Sequence, residues 1–301
     1  MAAYSAMPPN LRGLLLMTFS VGLATGTHAV IRYLGTDLPS EEVVVIRHVF
    51  ALAALSPFIF RTGLRRTLRA RRPGVLTVRG LIAGVNALAW YKGLTLVPFI
   101  VATSLNFCAA LFVTIGAVLF LGEKAGIRRW SAVAVGFIGA LIILRPGIEV
   151  ITPGALLVML SAVLSGASLL LMKLLTRTDT PITIVTYMYL FRIGIAMLPA
   201  AATWIWPSLE NLAWFALIGV VSSATNIAQA HAFKAADATL LAPVRFTRLV
   251  WATLIGVVAF GEIPDIWTIV GALVIAGSIS YIAWREATLR KERAREPGEP
   301  E

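Results

Sequence analysis

The chain has 301 residues, 58% of them hydrophobic and only 14% charged, against about 45–50% and about 25% in soluble domains. That balance excludes an ordinary soluble fold, and the single cysteine, Cys108, excludes an intramolecular disulfide. The formal charge of +11 would suit a nucleic acid, but most of the Lys and Arg sit in alternate breaks between apolar runs, where they set membrane topology; no nucleic-acid partner is expected.

In chain order, apolar runs long enough to cross roughly 30 Å of hydrocarbon as helices cover about residues 12–34, 42–60, 75–95, 98–121, 129–145, 154–175, 182–206, 211–233, 238–260 and 265–284. The first, Arg12 followed by GLLLMTFSVGLATGTHAVI, starts like a signal peptide but runs on too far, which predicts an uncleaved first span. The last stretch, REATLRKERAREPGEPE, has no apolar face and is expected to fray. The predicted class is therefore an all-α polytopic membrane protein with ten transmembrane helices. No break is long enough to hold a soluble domain.

The break after span 2, RTGLRRTLRARR, holds six Arg. Lys124, Arg128 and Arg129 follow span 4, Lys173 and Arg177 follow span 6, Lys234 ends span 8, and the tail adds five basic residues. The alternate breaks, GTDLPSEE, TLVP, PGIEVITPG, PSLEN and GEIPD, hold none. An excess of Lys and Arg marks cytoplasmic loops, so both termini are predicted to be cytoplasmic.

The two halves are alike. Placing Gly122-Glu123 on Gly261-Glu262 without gaps sets VATSLNFCAALFVTIGAVLFLGE against LLAPVRFTRLVWATLIGVVAFGE, so Phe107 meets Phe246, and Trp130 and Trp267 start the next spans. Span 4 then corresponds to span 9, and a repeat of five spans must enter the bilayer in opposite senses. The six-Arg break after span 2 corresponds to PSLEN after span 7, which has no basic residue. The expected organisation is a cytoplasmic segment 1–11, a first five-helix repeat 12–147, a second, inverted five-helix repeat 148–284 and a charged cytoplasmic tail 285–301. Inverted repeats are the architecture of many secondary transporters, with the solute near the midplane where the repeats meet.

Ionisable groups at bilayer depth cost several kcal/mol unless they face protein or water. Arg32, Arg79, Lys92 and Arg145 lie near span ends, where long side chains are expected to snorkel to the interface. Arg245 lies deeper, about 12 Å in from Asp237 at 1.5 Å per helical residue, with Arg248 one turn further on the same face. Pro243 lacks an N–H and loosens the helix just before them. The repeat partner of Arg245 is Asn106, and the spans offer no mid-membrane acid to neutralise the arginines. Arg245 and Arg248 are therefore expected to line a solute path. Asn86, Trp90 and Tyr91 in span 3, and Asn226 and Gln229 in span 8, add amides and aromatic faces to that lining, with Phe107 and Phe246 for an apolar part. Arg47, His48 and Arg192 are expected to be gating or structural, and His28 and His231 to be hydrogen-bonded in the core. Gly22 with Gly26, and Gly136 with Gly139, are spaced for close helix contact.

No phosphate loop, HExxH, Cys/His cluster or GxSxG is present, so neither an ATP-driven pump nor a familiar hydrolase is supported. No enzyme activity, cofactor or metal is expected.

The ten spans, the duplicated ends FLGEKAGIRRW and AFGEIPDIW, IRHVFALAALSPF in span 2 and GFIGALIILRPG closing the first half resemble the drug/metabolite transporter superfamily, in particular bacterial EamA-type carriers, over about residues 10–285. The resemblance implies a multi-pass protein of the bacterial inner membrane, with the solute held between spans 3, 4, 8 and 9 and access alternating as other helices move. A homodimer is compatible with it. The expected function is secondary transport of a small polar or amphipathic metabolite, with export of an amino-acid-like or other carboxylate-bearing solute favoured. The alternative is uptake of a riboflavin-like or S-adenosylmethionine-like compound.

Overall fold

In hydrocarbon every backbone N–H and C=O must be bonded within the chain, so apolar runs of this length form helices. A computed structural model describes residues 9–121, 126–145, 152–175, 178–235 and 243–295, and among them there is no strand. Apart from one short turn at Leu64–Thr67, the α-helices are α1 (Pro9–Asp37), α2 (Ser40–Thr62), α3 (Pro73–Leu96), α4a (Phe99–Asn106) and α4b (Ala109–Leu121), together α4, then α5 (Ile127–Leu144), α6 (Pro153–Leu175), α7 (Pro181–Thr203), α8 (Leu209–Ala235), α9 (Thr247–Phe260) and α10 (Ile266–Arg295). Seven, with α4a and α4b taken as one, contain stretches long and apolar enough to cross a membrane; shorter apolar helices lie at Trp130–Leu144, Leu209–Ser222 and Thr247–Phe260.

Local chemistry sets the helix ends. Pro73, Pro153 and Pro181 open α3, α6 and α7, where a missing N–H costs nothing. The Thr180 hydroxyl accepts from the Thr183 N–H at 3.2 Å and caps α7. Gly261 ends α9 in the left-handed region, with φ +65°.

Among helices that are not neighbours in sequence, the main packing pairs are α3 on α6, α8 on α1, α5 on α10, α2 on α7, α3 on α7, α2 on α8, α4b on α6, α9 on α1 and α4a on α9. Exchanging every helix number for the one five away returns the same set. The pairs that map onto themselves are antiparallel. Phe99 meets Phe260 while Phe107 meets Phe246, and Ser278 of α10 donates to the Ala132 carbonyl of α5 at 2.6 Å. Glycines permit the α5–α10 crossing: a Cβ on Gly139 would lie 2.8 Å from the Gly271 carbonyl oxygen. Gly22 likewise lies under the Trp251 ring, whereas Gly26 faces open space and makes no such contact.

Ionic contacts gather the breaks at two ends. Arg32, near the end of α1, pairs with Glu262 in the α9–α10 break, and Glu262 also accepts from the Phe99 N–H at 2.7 Å. Arg145, at the end of α5, pairs with Asp265, and Glu42 of α2 accepts from the Ile205 N–H at 2.8 Å. At the opposite end Asp179 accepts from the Arg71 N–H at 2.7 Å and Tyr187 donates to the Leu68 carbonyl at 2.8 Å.

Several expectations need correction. Span 4 is interrupted: around Phe107 and Cys108 the bonds tighten to three-residue spacing, Phe107 N–H to Ser104, Cys108 N–H to Leu105 and Ala110 N–H to Phe107. Its repeat counterpart is also irregular, a 3₁₀ turn at Pro243–Phe246. Arg79 does not snorkel. It is 6% exposed, because α3 packs against both α6 and α7, and it donates to the Ser168 carbonyl at 3.4 Å. Arg32 and Arg145 are tied into ion pairs instead of reaching outward, whereas Lys92 is exposed as expected. The expected fraying of the tail gives way to helix as far as Arg295, since Glu286, Ala287, Leu289 and Lys291 are strong helix formers.

Candidate solute site

A cavity of about 210 Å³ opens between α1, α2, α7 and α8. Small residues on these helices, Ala24, Ala51, Gly219 and Ser222, leave the space, and His28, Arg47, His48, Tyr189 and Arg192 give it its chemistry. No Asp or Glu lines it among the described residues.

Each charged group is held by a neutral acceptor. Arg47 donates to the Tyr91 hydroxyl and lies over that ring, 5.7 Å from its centroid. Arg192 donates through Nε to the Ala83 carbonyl at 3.3 Å and through Nη1 to His48 Nε2 at 3.0 Å. Arg248 of α9 donates to His28 Nδ1 at 2.6 Å, and His28 meets the Trp90 ring edge-on at 5.5 Å. A guanidinium only donates, so both imidazoles are neutral acceptors in this arrangement. The His48 ring also lies 5.5 Å from Tyr189 and 6.3 Å from Tyr91.

The structure thus brings together His28, Arg47, His48 and Arg192, with Trp90 and Arg248 joined to them through His28 and Tyr91 through Arg47 and His48. Phe107 and Phe246 meet with their rings tilted by 34° and their centroids 5.3 Å apart. Asn106 is half-buried at the end of α4a. Asn86 turns to α6, donating to Ser165 at 3.0 Å and accepting from Ser161 at 2.7 Å. The side chains of Asn226, Gln229, His231 and Arg245 lie outside those described. Sequence reasoning missed Tyr189, although it stands three residues before Arg192 and shares a helix face with it.

A second cavity, of about 390 Å³, lies at the end where Arg145, Glu262 and Asp265 meet. Those groups are engaged in the contacts that hold that end together.

The profile of the EamA-like transporter family matches residues 11–145 and again residues 152–284. The S-adenosylmethionine uptake transporter of Rickettsia felis is 31% identical over 281 residues, covering 93% of this chain and 95% of that one. The riboflavin transporter of Vibrio cholerae is 32% identical, covering 92% and 93%. A pseudopaline exporter of Pseudomonas aeruginosa is 26% identical, covering 87% and 93%. One crystal structure shares the fold with a TM-score of 0.59 at 17% identity, covering 96% of this chain and 99% of that one. With a family profile matched twice along almost its whole length, and relatives above 30% identity covering nine-tenths of it, the chain belongs to the EamA-like transporter family.

Proposed function

We propose that this transporter is a secondary carrier for uptake of a small amphipathic metabolite of the S-adenosylmethionine or riboflavin kind. The observation that carries this reading is the similarity to an S-adenosylmethionine uptake transporter and a riboflavin transporter over more than nine-tenths of both chains. The cavity agrees with it: the guanidinium donors of Arg47 and Arg192 and the Tyr189 ring in its wall suit a solute with polar acceptors and a flat apolar part. Export of an amino-acid-like solute, favoured by the sequence alone, keeps the support of one more distant relative whose name describes export.

The carrier reading includes ten spans in two inverted repeats. The support is the packing set that survives exchange of repeats, the antiparallel α2–α7, α4–α9 and α5–α10 pairs and the charge alternation of the breaks. It also includes a solute path from the described cavity toward Asn106, Phe107, Phe246 and Arg248, with Asn226, Gln229 and Arg245 along it, and cytoplasmic termini in an inner membrane. Counterflow in proteoliposomes tests it. Radiolabelled S-adenosylmethionine or riboflavin should enter vesicles preloaded with the same compound faster than protein-free vesicles. If neither does, the relatives' solutes do not carry over to this chain.

A further inference from the structure

We propose that Arg47 and Arg192 form a clamp for a carboxylate at the wall of the 210 Å³ cavity, a deepening that rests on reading this cavity as the solute site. A guanidinium carries five N–H donors in a fixed plane. Arg47 uses one on the Tyr91 hydroxyl, and Arg192 uses Nε and Nη1 on Ala83 and His48. Donors remain on both, including the Nη2 group of Arg192, and both side chains are partly exposed at the cavity wall.

Their existing partners are a phenol, an imidazole and a backbone carbonyl, all neutral. With no acid among the described lining residues, the positive charge is solvated locally but not balanced. In a region of low dielectric an unbalanced guanidinium is costly, and an incoming anion relieves that cost. A carboxylate matches the planar fork, accepting two parallel N–H bonds. The bonds to His48, Ala83 and Tyr91 fix the guanidinium planes before the solute arrives, which reduces the ordering cost of binding. The cavity accepts a small aromatic acid whole, or the acidic end of a larger solute.

Full-length protein in lipid nanodiscs, titrated with 4-fluorobenzoate and separately with 4-fluorobenzyl alcohol, is followed by fluorine NMR. The clamp predicts that the acid binds at least about tenfold more tightly than the alcohol, as charge-assisted bonds allow. Arg47→Gln and Arg192→Gln should each weaken the acid by about tenfold and leave the alcohol unchanged, and Arg192→Lys should fall between. Arg192→Gln also removes the bonds to Ala83 and His48. If it does not fold, Arg47→Gln and the acid-to-alcohol ratio of the wild type decide the matter. Equal binding of acid and alcohol, no binding of the acid, or an Arg47→Gln variant that binds the acid like wild type would each overturn the clamp. Counterflow that fails for both proposed solutes while the clamp binds its acid would overturn the solute reading alone.

Discussion

Arg192 on α7 donates to Nε2 of His48 on α2 at 3.0 Å, and this fixes the imidazole proton on Nδ1, 2.6 Å from the Val44 carbonyl. The ring is therefore a relay that joins one arginine of the second half to the backbone of the first. An imidazolium has no acceptor nitrogen. The bond is present while His48 is neutral and is lost as falling pH protonates it, when two cations would stand side by side. Nitrogen NMR of histidine-labelled protein should show the Nδ1–H tautomer for His48 at neutral pH. His48→Phe should destabilise the protein by about 1–3 kcal/mol, because it strands a buried donor, and should do so more than His48→Gln. A Phe variant as stable as the Gln variant would show that the bond holds nothing.

Glu262 ties three elements with one carboxylate. It pairs with Arg32 of α1, itself stacked 4.6 Å from the Phe260 ring centroid, and accepts the first N–H of α4a from Phe99. Glutamine can still accept from Phe99 but cannot pair with Arg32, whereas alanine does neither. Thermal unfolding in one detergent should rank wild type above Glu262→Gln above Glu262→Ala. The Gln change should cost about 1 kcal/mol and the Ala change about 3 kcal/mol. Equal melting of the two variants would remove Phe99 from the account.

What was legible in the sequence follows from what composition and period encode. The apolar runs, the basic breaks and the kinship of Phe107 with Phe246 are properties of local strings, and the helices and the 5.3 Å ring contact agree with them. The polarity of the tail predicts fraying, whereas its good helix formers carry α10 on to Arg295. The interruption of span 4 carries no proline or glycine at Phe107–Cys108, so nothing in the string announced it; its counterpart in span 9 has Pro243. The Arg–His pairs join residues 144 and 220 positions apart. Such pairings depend on which helix faces meet, and a lone arginine in an apolar run does not name its acceptor. The sequence expects Arg47, His48 and Arg192 to gate or to support structure, and the described cavity forms around them.

Topology offers a test that separates packing from orientation. The tie from Glu42 to Ile205 puts the α1–α2 and α7–α8 breaks at one end, and the tie from Arg71 to Asp179 puts the α2–α3 and α6–α7 breaks at the other. The basic residues crowd the second end, which the positive-inside rule predicts to be cytoplasmic. After Cys108→Ala, single cysteines replacing Thr36 and Ser208 should react with an impermeant maleimide in intact cells. Cysteines replacing Leu68 and Thr288 should react only after permeabilisation. If Thr36 and Ser208 labelled from opposite sides, the packing would be wrong. If all four positions were reversed together, the packing would stand and the charge rule would have failed for this chain.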